Sequence, residues 1–271
     1  MQNHTGTFVL SRSPGGGAER REFEDGVRDA LVERGGRVLI VPHLYYLTSD
    51  HPGAEALAGL DGPVVVAGWS HPRAARWTVE TVIGSGLPGN SFHDLDQFCC
   101  PGKGTEKLLA RMQNLGGATV DGQGSVREIT GPVDERWYPV VDYSRCSGCG
   151  QCMEFCLFGV YSRQEDAVVA TSPDNCKLGC PACARVCPQG AIMFPHYEDD
   201  PAIAGAPGME VETGQVDVAE FFRSKAQAAD NAECDCDSGE AAETSDEAAE
   251  RSDAAGDDLD ELIEELDKLN D

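Results

Sequence analysis

The first 115 residues alternate short apolar runs with amphipathic stretches. Three runs have the length and composition of strands: residues 7–10, 37–41 and 63–68. Four stretches have helical periodicity: residues 18–34, 53–60, 71–83 and 105–115. The run at 37–41 is nearly all apolar, as in a strand that is covered on both faces. Three repeats of strand and helix predict an α/β domain of βαβαβα order with a parallel sheet.

A second unit is predicted after a segment rich in glycine and proline at 120–136, which marks the expected domain boundary. Four short apolar segments follow, at residues 140–143, 159–162, 167–170 and 191–194. We expect the first to pair with the last and the middle two to form a hairpin. The predicted organisation is an α/β domain at 1–135, a small α+β unit at 136–197 and a tail at 198–271.

The net charge of −26 is concentrated in that tail, which contains 25 Asp and Glu residues and only four basic residues. Residues 226–258 are mostly Ala, Asp, Glu and Ser without aromatics, which predicts disorder. The last residues carry an apolar stripe at helical spacing: Leu259, Leu262, Ile263, Leu266 and Leu269. An acidic tail with a terminal amphipathic helix suits docking to a partner protein, although a purely solubilising role fits as well. Such a charge argues against nucleic acid as a partner.

Eight of the twelve cysteines lie in the second unit, in two sets of four. The sets are Cys146, Cys149, Cys152 and Cys156, then Cys176, Cys180, Cys183 and Cys187. Thiolates are the ligands that iron–sulfur clusters require, usually four per cluster. In each set the fourth cysteine follows at x3. It is expected at the start of a short helix that points away, so that it reaches the other cluster.

This run resembles a bacterial-type ferredoxin with two 4Fe-4S clusters, over residues 137–197 only. The resemblance implies one cluster on Cys146, Cys149, Cys152 and Cys187, and another on Cys176, Cys180, Cys183 and Cys156. Leu157 replaces the proline usual after the first set, and the Cys176–Cys180 loop has one extra residue. Gly179 is expected to accommodate that residue with a positive φ. Zinc and disulfides are the alternatives, but zinc sites do not need this spacing and disulfides suit secreted chains.

Outside the cysteine motifs, the N-terminal part contains weaker candidates for binding or redox sites. Gly15, Gly16 and Gly17 separate a strand from a helix, where phosphate can bind, but they match no nucleotide motif and fit an ordinary loop. His43 and His71 follow strands and are expected at the carboxyl edge of the sheet. Further candidates for the same edge are His51, His93, Asp94 and Asp96. The pattern has a faint similarity to small α/β chelatases of tetrapyrroles, but ordinary structural histidines are the favoured interpretation, because the spacing fits no metal-binding rule. Four cysteines remain without a predicted role: Cys99, Cys100, Cys234 and Cys236.

The pattern favours an electron-transfer protein that relays single electrons between two 4Fe-4S clusters and an oxidoreductase partner, with no catalytic side chain. The main alternative is an oxidoreductase whose N-terminal domain binds a substrate, nucleotide or tetrapyrrole and receives electrons from the clusters. A third is an assembly protein whose tail docks a partner. No run of 18 apolar residues and no leader pattern occur, so a cytoplasmic location without a membrane span is expected.

Overall fold

A computed structural model describes residues 6–15, 17–97, 104–115, 123–165, 167–209 and 211, with side chains of the fourth helix described to residue 110. Cys99, Cys100, Cys234, Cys236 and the terminal apolar stripe lie outside these ranges. None of the helices in the described ranges is long and apolar enough to cross a membrane.

The N-terminal part is built on a parallel sheet of five strands in the order β4–β3–β1–β2–β5. The strands are β1 (Thr7–Ser11), β2 (Arg37–Val41), β3 (Val64–Gly68), β4 (Ser91–Asp94) and β5 (Ser125–Glu128). The parallel sheet and its three inner strands confirm the prediction. The two outer strands were not predicted. β5 lies inside the segment taken as a boundary, and all four of its residues are exposed, so no apolar run marks it.

Helices cover both faces of this sheet. They are α1 (Ala18–Glu33), α2 (Pro52–Ala58), α3 (Pro72–Ile83) and α4 (Gly104–Leu115). Val27 and Leu31 of α1 join Leu108 of α4 on one face. On the other face, Leu57 of α2 packs with Val79 of α3. The chain therefore leaves β1 towards one face and β3 towards the other, as in a doubly wound fold.

The C-terminal part is a small α+β unit, as expected. It contains β6 (Val140–Val141), α5 (Gln151–Phe155), β7 (Ser162–Gln164), β8 (Ala167–Val169), α6 (Ala182–Arg185), β9 (Ile192–Met193) and α7 (Pro201–Ala204). Strands β6 and β9 pair antiparallel, and β7 and β8 form the predicted hairpin. Helix α7 lies in the segment assigned to the tail, yet Ile203 is fully buried in the core of this unit.

The two parts pack against each other within one compact unit of the chain. Tyr45 stacks on Tyr138 with ring centroids 4.4 Å apart, and its hydroxyl donates to the Tyr138 carbonyl and accepts from the Tyr138 amide. Arg73 of α3 donates to the Asp142 carboxylate at 2.7 Å and to the Gly190 carbonyl at 2.6 Å. The α/β sheet is thus held in a fixed position next to the cysteine-rich unit.

Candidate iron–sulfur centre and the adjoining cleft

The local structure around the first cysteines differs from the expectation in one respect. Cys152 lies within α5, and Cys156 caps its C-terminal end, with its amide 3.2 Å from the Cys152 carbonyl. The helix therefore lies between the third and fourth cysteines, whereas it was expected to begin at the fourth. Cys183 and Cys187 repeat this arrangement around α6. One helical turn carries the fourth cysteine away from the loop that holds the other three.

The longer loop of the second set behaves as expected. Gly179 adopts φ +75°, a conformation that residues with a side chain rarely take, and this lets the five-residue segment from Cys176 to Cys180 close. Leu178 beside it is 72% exposed, so the extra residue is accommodated at the surface of the module.

One small pocket gathers the first predicted ligand set. Cys146, Cys149, Cys152 and Cys187 all line it, and Cys156 does not. Cys187 is far from the other three in sequence. It reaches them because β9, which follows it, pairs with β6, which precedes Cys146. The fold therefore brings together the cysteines that the resemblance assigned to one cluster.

The second predicted set is also close together. Burial, together with the neighbouring Cys180 and Cys156, raises the pKa of Cys176 to about 12. The pKa of Cys183 is also raised, first by burial and then by Cys176, Cys180 and Cys156, while the Tyr161 hydroxyl opposes this shift. Cys156 thus lies close enough to the second set to affect its thiols, and it does not line the pocket of the first set.

The sulfur atoms also have hydrogen-bond donors. The Tyr161 hydroxyl donates to Cys183 Sγ at 3.1 Å, and the Ala191 amide donates to Cys187 Sγ at 3.4 Å. Backbone amides of Met153 and Ala182 lower the pKa of Cys152 and Cys180 respectively, although burial raises both overall. Donors of this kind stabilise thiolates that hold a metal. Sequence reasoning missed Tyr161, whose place in the predicted hairpin indicated only burial.

The donor set fits a cluster of several irons. In the described ranges, no three His, Cys, Asp or Glu side chains converge as the ligands of one metal ion. The four cysteines of the first set instead line one small pocket, together with apolar residues such as Val141, Val168 and Ile192. All eight cysteines are free thiols, so none is used in a disulfide.

Comparison with known proteins agrees with this geometry. The 4Fe-4S binding domain family matches residues 139–159. A ferredoxin of Methanothermococcus thermolithotrophicus is 39% identical over 54 residues, which are 19% of this chain and 88% of that protein. The chain belongs to the 4Fe-4S ferredoxin family. The similarity covers only a segment of the chain.

Two further relatives match segments of similar size. An uncharacterized ferredoxin of Methanocaldococcus jannaschii is 43% identical over 63 residues, covering 23% of this chain and 43% of that protein. The pyruvate synthase subunit PorD of Methanothermobacter marburgensis is 35% identical over 83 residues, covering 31% of this chain and 95% of the subunit. The chain spans less than half the length of the first of these, so whole-protein roles do not transfer directly.

A cleft of about 1070 Å³ lies between the ferredoxin module and the carboxyl edge of the sheet. Its wall on the sheet side includes His43 and His71, which confirms their predicted position. Its wall on the ferredoxin side includes Trp137, Leu178 and Gly179. The indole of Trp137 donates to the Cys180 carbonyl at 3.2 Å, so this wall contacts the loop of the second cysteine set.

The candidate polar residues do not all gather at this cleft. His71 pairs with Asp94 at 3.0 Å, and Asp96 lines the cleft. His51 instead caps α2 through the Gly53 amide, and His93 is buried on β4. His196 was not foreseen. Its Nε2 lies 3.4 Å from His43 Nε2, and its Nδ1 lies 3.2 Å from the Tyr46 hydroxyl.

Proposed function

We propose that this protein relays single electrons through two 4Fe-4S clusters, to or from an oxidoreductase partner. The observation that carries the proposal is the pocket in which Cys187 joins Cys146, Cys149 and Cys152. A fourth ligand contributed by the other motif is the hallmark of ferredoxins with two clusters. The complementary set, with Cys156 beside Cys176, Cys180 and Cys183, supports the same arrangement.

In this proposal the cysteines hold iron, and each bound cluster accepts and releases one electron. Tyr161 connects the two sites, because it lines the first pocket and donates to Cys183 of the second set. It is 7% exposed, so it excludes water between them. Burial and sulfur hydrogen bonds are the means by which the chain sets the potentials.

Mutation of the fourth cysteines tests the crossed arrangement. We expect Cys187→Ala to damage the cluster held mainly by Cys146, Cys149 and Cys152, and Cys156→Ala to damage the other. Cys234→Ala, outside both sets, is the matched control and should leave both spectroscopic signals intact. Selective loss of the cluster on Cys176, Cys180 and Cys183 in Cys187→Ala would show that each set is self-contained and would refute the proposal.

The proposed partner is an oxidoreductase. PorD is by its name a subunit of pyruvate synthase, which supports a role as an oxidoreductase-associated electron carrier. We further propose that the acidic tail assigned to residues 198–271, beyond the buried helix α7, tethers the partner. Its acidic residues would speed encounter with a basic surface, and the terminal stripe would occupy an apolar groove. Deleting residues 256–271 should slow electron transfer to the partner without changing cluster content. The double substitution Leu262→Asp with Leu266→Asp should have the same effect. If electron transfer to the partner is unchanged at both low and high salt, the tail has only a solubilising role.

A second candidate function is favoured by the cleft. The loop of the second cysteine set forms part of its wall on the ferredoxin side, and the carboxyl edge of the α/β sheet forms the opposite wall. A substrate bound there would lie next to the second cluster, as in an oxidoreductase that carries its own electron relay. Turnover of a bound molecule by the reduced protein, without a partner protein, would distinguish this function from a simple carrier.

A further inference from the structure

We propose that Arg163 raises the reduction potential of the first cysteine site by holding a positive charge against the loop of that site. The first site is the pocket lined by Cys146, Cys149, Cys152 and Cys187. Arg163 is a positioning residue, because its contact is with the backbone of the loop. The inference rests on the proposed function and adds to it a residue that tunes one of the two sites selectively.

The pairing of the β7–β8 hairpin directs Arg163 towards this site. Arg163 lies directly opposite Val168 in the antiparallel register. Side chains of directly opposed residues lie on the same face of a sheet, and those of the next residues along each strand lie on the other face. Val168 is 2% exposed and lines the first pocket. The Arg163 side chain therefore leaves the hairpin on the face that covers the first site, and Gln164 leaves it on the opposite face.

The guanidinium group of Arg163 lies on the loop that carries Cys149. Its Nη1 donates to the Gly148 carbonyl at 3.1 Å. On the other side of Cys149, a Cβ atom added to Gly150 would lie 2.6 Å from Arg163 Nη2, closer than real Cβ atoms approach a neighbour. The guanidinium thus occupies the space that a side chain at Gly150 would fill. It contacts the residues on both sides of Cys149.

The positive charge acts on the first site in two ways. Reduction of a cluster adds one negative charge, so a cation close to it favours the reduced form. The Gly148 carbonyl and the Cys149 amide also belong to one peptide group. A charged donor on that carbonyl polarises the peptide, so its N–H becomes a stronger hydrogen-bond donor. Arginine stays protonated at all ordinary pH values, so this charge is permanent.

Solvent exposure limits the size of the effect. Cys149 is exposed, and Arg163 also lies at the surface. Water and salt therefore screen the charge, and its influence is much weaker than that of a buried cation. We expect Arg163 to change the reduction equilibrium of the first site about tenfold, which equals about 59 mV for a one-electron step.

Potentiometric titration of the iron-loaded full chain, followed by EPR, tests the proposal. Arg163→Gln removes the charge and retains an amide group that can donate to the Gly148 carbonyl. It should lower the first-site potential by the amount given above. Combining it with Cys156→Ala, which is expected to leave the first cluster in place, assigns the shift to that site. Combined with Cys187→Ala, it should leave the second-site potential unchanged. Equal shifts at both sites, or no shift at either, would overturn the proposal.

Two further variants separate the position of the charge from its mere presence. Arg163→Lys keeps a cation on the same face and should retain most of the wild-type potential. The double substitution Arg163→Gln with Gln164→Arg preserves the net charge but moves the cation to the opposite face of the hairpin. It should show the same low potential as Arg163→Gln. Recovery of the wild-type potential in this double variant would show that only overall charge matters, which contradicts the proposal.

Salt dependence separates the charge from a purely structural role. The screening length falls from about 10 Å at 0.1 M salt to about 3 Å at 1 M. The difference in potential between the wild type and Arg163→Gln should therefore shrink over this range. A difference that does not respond to salt would assign Arg163 to loop packing and overturn its electrostatic role.

Failure of this inference and failure of the proposed function give different results. A chain that binds no iron refutes both before any potential is measured. A chain with two reducible clusters whose potentials do not respond to Arg163→Gln refutes only the role of Arg163 and leaves electron relay in place.

Discussion

Replacing Tyr45 by phenylalanine should loosen the packing between the α/β domain and the ferredoxin module. The ring would still stack on Tyr138, but the amide and carbonyl of Tyr138 would both lose their partner, the Tyr45 hydroxyl. Tyr45 is fully buried, so water does not replace it. Each unsatisfied buried group costs about 1–3 kcal/mol, which gives a loss of about 2–6 kcal/mol for the pair.

Hydrogen exchange measures this loss at the affected bond. If the Tyr138 amide exchanges by local opening, Tyr45→Phe should raise its exchange rate by about 30- to 20,000-fold, since 1.4 kcal/mol corresponds to a factor of ten. Tyr143→Phe is the matched control, because that ring is 40% exposed and should change stability by less than about 0.5 kcal/mol. An unchanged rate in Tyr45→Phe would refute the assigned role of this hydroxyl.

Three further predictions concern the ion pair, the histidines and the sulfur donor. Arg73→Ala should lower the free energy of unfolding by about 3 kcal/mol, because it removes the closer of the two cations that pair with the buried Asp142 and leaves only Arg145 at 3.8 Å. Arg76→Ala on the exposed side of α3 should cost less than about 1 kcal/mol in the same denaturation assay. The pKa of His43 is about 3 in the folded protein, so between pH 6.5 and pH 3 the unfolded chain binds more protons than the folded chain. The free energy of unfolding should therefore fall by up to about 1.4 kcal/mol for each pH unit of acidification over this range. His43→Asn should reduce this slope, and an unaltered slope would exclude His43 as its source. Tyr161→Phe should lower the reduction potential of the second site by tens of millivolts in a redox titration, because the mutant lacks the hydroxyl that donates to Cys183 Sγ and stabilises added negative charge. An unchanged potential would show that Tyr161 contributes packing alone.

The parts of the fold predicted from sequence are those whose pattern is local. The apolar runs of β1, β2 and β3 indicated the parallel sheet, because strands buried on both faces need continuous apolar side chains. β4 has the sequence Ser-Phe-His-Asp and β5 has no buried residue, so neither carries such a pattern. Both form because an outer strand gains backbone hydrogen bonds from a neighbour that is already in place.

The same distinction applies to the site. Cysteine spacing is a local property, so all eight candidate ligands were found from sequence, and their roles as ligands stay a prediction for experiment. The pair of His43 and His196 joins residues 153 positions apart, and no short pattern connects them. Trp137 and Tyr161 were likewise missed, because a lone aromatic residue in a strand or loop usually indicates only core packing. Contacts between residues far apart in the sequence are set by the tertiary structure, so no local sequence pattern predicts them.

Iron content combined with an anaerobic reductive titration of the full chain tests the central proposal most directly. Two crossed clusters predict about eight iron atoms per chain and two one-electron reductions with EPR-active products. Four iron atoms with a single reduction would contradict the two-cluster arrangement. One tightly bound zinc and no iron would contradict electron transfer altogether.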